Sequence, residues 1–312
     1  MKHYDAEAIR QRLPWAELVD ALERGFREGC SVPQRHHHEV PVEGAEPGIL
    51  LLMPAWQEGG LLGLKMATLF GGNAAAGLET IQATYLLCSA TTGVPLASFD
   101  GGEITARRTA AASALGSRYL SAADARRLLV VGTGRLAPLL AQAHAAVRPI
   151  DSVEVWGRSP EKTEAVCKTL REAGMDAAVA RSLEDAVRGA DIVSCATSAS
   201  EPLVHGDWLG EGVHLDLVGS FQRSMREADD AAVARCSVYV DVREAALSES
   251  GELLHALDRG VFEETDIRAD LFDLARGSLP GRAVGERTLF KSVGVALEDL
   301  CAAKLVHGAL AD

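Results

Sequence analysis

The chain has no CxxC pair, no uncharged apolar run long enough to span a membrane, no internal repeat and no low-complexity segment. Its six cysteines, Cys30, Cys88, Cys167, Cys195, Cys236 and Cys301, lie far apart; reduced thiols are expected, with Cys195 near a strand end acting as a small buried hydrophobe. The opening MKHYDAEAIR has no apolar leader core, and the expected location is the cytoplasm. Positive charge is also short. Thirty-one Lys and Arg face 44 Asp and Glu, giving a net charge of −13 and a pI near 5.2, with no basic stripe to offset it. Such a chain would repel a phosphate backbone or an anionic membrane, so neither nucleic acid nor membrane is an expected partner.

What is present is enough apolar sequence to fill a sizeable core. The 312 residues are 47% hydrophobic and 24% charged, a length that suits two domains. Asp5 caps a short first helix, and Pro14 opens a second that stops near Gly29. Residues 35 to 99 are short apolar or alternating runs separated by Gly, Asn and Pro, which predicts a mainly antiparallel β region. ITARRTAAASALGSRYLS then reads as a helix. After Ser121, strand-like and helix-like runs alternate from RLLVVG to SVYVDV, the pattern of a parallel sheet covered by helices. Ser182 with Asp185 and Ser159 with Pro160 mark helix starts within it. GVALEDLCAAKLVHGAL reads as an amphipathic terminal helix that returns to the first domain.

The sharpest motif is LLVVGTGRLAPLLAQ. After an apolar strand, Gly132 permits a tight turn and Gly134 a close backbone approach to a pyrophosphate, while Ala137 lets the following helix pack closely. The alternative is a plain tight turn. At the end of the next strand, SVEVWGRSPEK offers Arg158 and Ser159 where NAD enzymes usually carry an acid for the ribose 2′-hydroxyl. That suits a 2′-phosphate; the alternative is a solvated Arg beside a Ser cap. Upstream, Lys65 falls on a strand, and Arg107 and Arg108 in the first turn of a helix, where the dipole calls for an anionic partner. A substrate carboxylate and a neighbouring acid both fit. The three histidines of QRHHHEVP alternate in direction on a strand and cannot all converge on one metal, so no metal site is expected. One further absence concerns VGSFQRSMREADD, which should leave a strand end where a base is often found. It presents Ser220 and Phe221 first, and its carboxylates wait until Glu227, Asp229 and Asp230.

Together, LKMATLFGGN, DGGEITARRTAAASAL, VVGTGRLA, GADIVSCATSASEP, VGSFQRSMREADD, YVDVREAALSESGEL and FKSVGVALEDLCAAKLV resemble the ornithine cyclodeaminase/mu-crystallin family in order and approximate spacing, through nearly the whole chain. The resemblance implies an α/β fold: a Rossmann-type doubly wound parallel sheet, the NAD(P)-binding domain at 121–294, inserted into a second α+β domain for substrate binding and homodimerisation. That second domain comprises residues 1–120 and is completed by a C-terminal helix, 295–312. Lys65 and Arg108 match the family's catalytic residues, and with Arg35 and Phe221 they form the implied substrate site. The implied cofactor set is Thr109, Gly132, Thr133, Gly134, Arg135, Leu136, Arg158, Ser159, Thr197, Val218, Gly219, Lys291 and Ser292.

Position 221 decides between chemistries within the family. In its cyclodeaminases a matching Asp is thought to activate water or amine, and Phe221 cannot take a proton. Mu-crystallin, which resembles a ketimine reductase, also lacks that Asp and has a cofactor segment similar to WGRS. The implied function is an NADPH-dependent oxidoreductase that reduces a small imine of an α-keto acid, such as the cyclic ketimine 1-pyrroline-2-carboxylate, or oxidises the matching amino acid. One alternative is ornithine cyclodeamination with recycled NAD, for which Asp216 is the nearest preceding replacement acid. Another is a non-enzymatic NADPH or small-ligand binder, against which the intact Lys65 and Arg108 argue.

Overall fold

The computed structural model describes residues 1–308. It divides the chain into two compact units, Met1–Arg108 with Val295 onward, and Thr109–Gly294. No helix among the described residues is long and apolar enough to cross a membrane.

The first unit opens with strand β1 (Lys2–Tyr4), helix α1 (Ala6–Arg12) and helix α2 (Trp15–Glu28). Asp5 caps α1 by accepting the Ala8 N–H at 2.8 Å, and Pro14 precedes α2, where its missing N–H is harmless. Leu18, Leu22 and Phe26 recur every four residues along α2 and are buried with Val19, one apolar stripe facing the core. Strands β2 (His36–Val40), β3 (Gly48–Trp56), β4 (Leu61–Leu69), β5 (Ile81–Ser89) and β6 (Pro95–Asp100) pair antiparallel, and β1 adds itself parallel to β6. The sheet order is therefore β1-β6-β5-β4-β3-β2.

Helix α3 (Gly101–Leu120) follows. It starts before the apolar pattern does, because the Asp100 carboxylate accepts the Glu103 N–H at 2.7 Å and so caps the two glycines into the helix. Arg107 and Arg108 are thus its seventh and eighth residues, beyond the first turn where the sequence placed them, and the dipole argument for an anionic partner loses its force. The division between units also falls inside α3, at Arg108, earlier than the residue 120 expected. Its later half is tied to the second unit: Ser113 donates to Asp216 at 3.1 Å, and the Leu120 carbonyl accepts from the Thr288 hydroxyl at 2.8 Å.

The second unit alternates strictly. In chain order it comprises β7 (Arg127–Val131), α4 (Leu136–Ala145), β8 (Ser152–Trp156), α5 (Pro160–Glu172), β9 (Ala177–Val179), α6 (Leu183–Gly189), β10 (Ile192–Cys195) and β11 (His214–Leu217). Then come α7 (Asp230–Arg235), β12 (Ser237–Val240), α8 (Arg243–Glu249), α9 (Gly251–Asp258), β13 (Ile267–Asp270), α10 (Leu271–Arg276) and β14 (Thr288–Lys291). All pairings are parallel, in the order β13-β12-β14-β11-β10-β7-β8-β9. Residues 128–131 of β7 and all of β10, β11 and β14 are buried, as in a sheet covered on both faces. Val131, Val193, Leu215 and Leu289 pack in one apolar layer, and Leu128, Val130, Val153 and Ile192 in the other. The chain winds from β7 through β8 to β9 in one direction and continues from β10 in the other, which makes the β7–β10 boundary the switch point where such sheets open a crevice.

Helix α11 (Ala296–His307) returns to the first unit and packs on α2, β3 and β4. It is not the amphipathic helix expected: Ala296 through Ala303 are buried on every side, including Glu298 and Asp299. Residues 309–312 of the expected helix lie outside the described residues.

Candidate active site and dinucleotide cleft

At the end of β7 the backbone turns sharply at Gly132, whose φ of 127° belongs to glycine. A Cβ there would lie 2.5 Å from the Ala196 carbonyl oxygen. Gly134 has open space where a Cβ would stand, and α4 begins two residues later. The turn therefore presents bare backbone and the N-terminus of a ten-residue helix to a cleft of about 590 Å³ at the switch point. Of the residues expected at a cofactor, Gly132, Thr133, Gly134, Arg135, Leu136, Arg158, Thr197, Val218 and Gly219 line this cleft, as does Phe221. Trp156, Gly157, Ser198 and Met225 also line it and had no distinguishing local signal.

Four of the expected residues are placed elsewhere. Ser159 caps α5, its hydroxyl accepting the Lys162 N–H at 3.3 Å, and it does not line the cleft. Thr109 is half-buried on α3 and is not a lining residue either. Lys291 is fully buried on β14 and donates to the Leu217 carbonyl at 3.0 Å, while the Ser292 N–H bonds the same oxygen at 3.3 Å. Both stand behind the end of β11 because β14 is its sheet neighbour.

The first unit holds a buried ionic cluster. Lys65, on β4, is 3% exposed and its Nζ lies 2.7 Å from Asp299 Oδ2. Arg108 donates from Nε to Asp299 Oδ1 at 3.0 Å and from Nη1 to Glu298 Oε2 at 2.6 Å. The anionic partners of the two cations are thus the adjacent acids of α11, about 190 positions from Arg108 and 234 from Lys65 in sequence, a pairing that local spacing cannot reveal. Their trace in the sequence is an acid pair set among the apolar residues of the first half of α11. Burial pulls Lys65 down to about 8; Asp299 opposes that fall, and Arg108 and Arg35 add to it. Desolvation is thus the largest cause, ahead of the neighbouring cations. Burial works against the charge of Arg108 too, but Asp299 and Glu298 outweigh it and raise its pKa. Asp299 is held below the usual carboxylate range by Lys65 and Arg108 despite its burial. Arg35, half-buried just before β2, contributes its charge to this cluster. Arg107 takes no part: it donates to the Leu13 carbonyl at 2.6 Å and lies 4.2 Å from the Trp15 ring centre.

Segment 218–230 gives the cleft Val218, Gly219, Phe221 and Met225, none of which titrates. Its carboxylates are engaged elsewhere. Glu227 is buried on backbone N–H groups, and Asp229 caps α7. Asp216 is fully buried and accepts from Ser113 at 3.1 Å and Ser194 at 2.6 Å, with His144 Nε2 at 3.4 Å. It is a core group and does not line the cleft. On β2, His36 and His38 share a side with ring centres 6.1 Å apart. Among the described residues no three His, Cys, Asp or Glu converge as metal ligands.

A doubly wound parallel sheet with a glycine turn into a helix and a crevice at its switch point defines a dinucleotide-binding α/β protein. The chain belongs to the ornithine cyclodeaminase/mu-crystallin family, whose profile matches residues 3–312. It is 39% identical to the Delta(1)-pyrroline-2-carboxylate reductase of Paracoccus denitrificans over 302 residues, 96% of this chain and 94% of that one. The solved Thermococcus litoralis Delta(1)-pyrroline-2-carboxylate reductase, in complex with NADH and L-proline, superposes with a TM-score of 0.93 at 33% identity, covering 99% of this chain and 97% of that one. The iminosuccinate reductase of Paracoccus denitrificans, in complex with NAD+, gives 0.88 at 26% identity over 98% and 95%.

Proposed function

We propose that the protein is an NADPH-dependent reductase of a small cyclic α-imino acid such as 1-pyrroline-2-carboxylate, the reverse reaction being oxidation of the matching amino acid. The reading is carried by two observations, one in each unit: the first holds a buried Lys65–Arg108 cluster, and the strand-exit segment of the second offers its cleft Phe221 and Met225 and no base. Reduction of C=N needs one hydride at carbon and one proton at nitrogen, and no activated water. Cyclodeamination needs a base, and Asp216, the candidate replacement, is committed to the core.

The cleft fits a dinucleotide by its bare glycine turn, its helix N-terminus and its volume. Gly132, Thr133 and Gly134 would face the pyrophosphate and Arg158 the adenosine ribose. A bound nicotinamide supplies the hydride. With a pKa near 8, Lys65 carries a proton at neutral pH and can still release it to the imine nitrogen. Arg108, with Arg35, holds the substrate carboxylate, and Asp299 and Glu298 fix the Arg108 guanidinium for that task. Phe221 and Met225 keep their part of the cleft apolar. NADPH is favoured because the β8 end is followed by Arg158 where an acid would repel a 2′-phosphate, and the capping role of Ser159 leaves that discrimination to Arg158. The protein is further proposed to be a homodimer formed through the outer face of the first unit's sheet.

The test follows NADPH absorbance with 1-pyrroline-2-carboxylate, and assays ornithine with catalytic NAD. Proline formed in step with NADPH consumption is the expected result. Ammonia and proline from ornithine without net cofactor use would replace this reading with cyclodeamination.

A further inference from the structure

The second unit holds a set of buried charges that the chemistry above does not use. Glu227 is 1% exposed, and its two oxygens accept the N–H groups of Thr197 and Gly219, each at 2.6 Å. Thr197 follows β10 and Gly219 follows β11, and both line the cleft. One carboxylate therefore ties together two adjacent loops of the cleft wall. At Gly219 a Cβ would lie 2.1 Å from the Thr197 carbonyl oxygen and 2.4 Å from Glu227 Oε1, so the loops touch and leave no room for a side chain. Behind them Glu252, from α9, accepts the Glu227 N–H at 2.7 Å and meets the Ser220 hydroxyl. Lys291 Nζ stands 3.6 Å from Glu252.

The charged and titratable groups facing Glu227 are Lys291 from β14, Glu252 from α9 and Cys195 from β10. Two buried carboxylates thus share a single buried ammonium. The ionised form of Glu227 suits its site because both oxygens meet an N–H. A protonated carboxyl turns an O–H toward one of those donors and leaves a buried N–H without an acceptor, at the place where the two loops join.

We propose that Glu227 is a positioning residue for the dinucleotide: its carboxylate clamps the loops after β10 and β11, and protonation opens the clamp and weakens cofactor binding. This rests on the cofactor reading of the cleft and on none of the substrate chemistry. The switch falls in an accessible range, since burial pushes Glu227 up to about 7, against Lys291 and with Glu252 adding to the rise.

The experiment is a titration of the purified protein with NADH, following the fluorescence of Trp156 in the cleft wall. NADH is used because the 2′-phosphate of NADPH titrates on its own account near pH ~6. Between about pH 8.5 and about pH 5.5 the wild-type Kd should rise about tenfold, the size of one lost hydrogen bond to a charged group. Glu227→Gln should bind weakly at every pH with a flat profile, and Glu252→Gln should move the midpoint to lower pH by removing one facing negative charge. A flat wild-type profile overturns the proposal, as does a Glu227→Gln protein that keeps the wild-type affinity and profile. Should Glu227→Gln fail to fold, an unmoved midpoint in Glu252→Gln overturns it equally. Failure of both NADH and NADPH to bind at any pH refutes the cofactor reading itself, whereas tight but pH-independent binding of NADH refutes only the clamp.

Discussion

Lys65 is the residue on which two opposing effects are balanced. Desolvation favours the neutral amine and Asp299, at 2.7 Å, favours the ammonium, with about 8 as the outcome. If Lys65 is the proton donor, kcat/KM for reduction is level below that value and falls tenfold per pH unit above it, because only the protonated enzyme can react. Asp299→Asn removes the anion that holds the charge and should shift the falling limb to lower pH; an unmoved limb would assign it to another group. Lys65→Ala should lower kcat by roughly 10²–10⁴-fold with NADPH affinity nearly intact. Arg108→Ala is expected to do more than weaken the carboxylate: it leaves Glu298 without its guanidinium in a fully buried site, at a cost of about 3–5 kcal/mol of stability. Urea unfolding of that variant separates the two effects. On the cofactor side, Arg158→Ala should cost about tenfold or more in NADPH affinity and little in NADH affinity, a charge-assisted contact being worth ~1.5–3 kcal/mol. Equal loss for both cofactors would return Arg158 to the solvent.

Between elements of the second unit the ties are polar as well as apolar. Asp216 on β11 joins Ser113 of α3, Ser194 of β10 and His144 of α4, while His214 on the same strand is fully buried beside Thr288 of β14. The Thr288 hydroxyl gives its proton to the Leu120 carbonyl, so it accepts from His214 Nδ1, and Nε2 is left a bare nitrogen with no partner among the described residues. A proton there would be a buried donor with nothing to meet, and burial drives His214 down to about 3. The unfolded chain binds that proton near its ordinary 6.5. Stability is therefore complete above that value and lost as pH falls toward 3, at about 1.4 kcal/mol per pH unit for this one group. His214→Asn should remove that increment from the slope of unfolding free energy against pH between about 6 and 4; identical slopes would remove His214 from the account. Asp216 shows where the reach of sequence reading ends. Its place on a strand was legible from VHLDL, and its partners on three other elements were not, because they are set by packing. The same distinction recurs across the fold. The alternation from β7 to β12 and the glycine turn are local patterns and were readable. The three-residue β1 and the late β14, which inserts between β11 and β12, take their places through pairing across tens of residues. In α11 the acids Glu298 and Asp299 imitate a solvent face and are instead the buried counterions of Lys65 and Arg108.

At the scale of the whole molecule, the sheet of the first unit poses a problem that a single chain leaves unsolved. Side chains alternate along a strand, so Leu50 and Leu52 of β3, Leu64 and Met66 of β4 and Leu86 of β5 occupy the face opposite Lys65, in register across the three strands. The leucines are only half-buried and Met66 is 46% exposed. A contiguous apolar face of this kind is what the proposed homodimer would bury, a two-fold pairing being the simplest closed arrangement. Net charge works against that pairing. Two copies carrying −13 each repel at long range, and this repulsion is screened beyond about 8 Å at physiological salt. Dimerisation should therefore tighten with added salt, opposite to an interface built on ion pairs. Light scattering is expected to give twice the 33.0 kDa chain mass. Met66→Glu, which places a carboxylate in the middle of the apolar face, should shift the protein to monomer while its far-ultraviolet circular dichroism stays unchanged. A wild-type monomer at micromolar concentration, or a Met66→Glu dimer as tight as wild type, would show that this face serves another purpose.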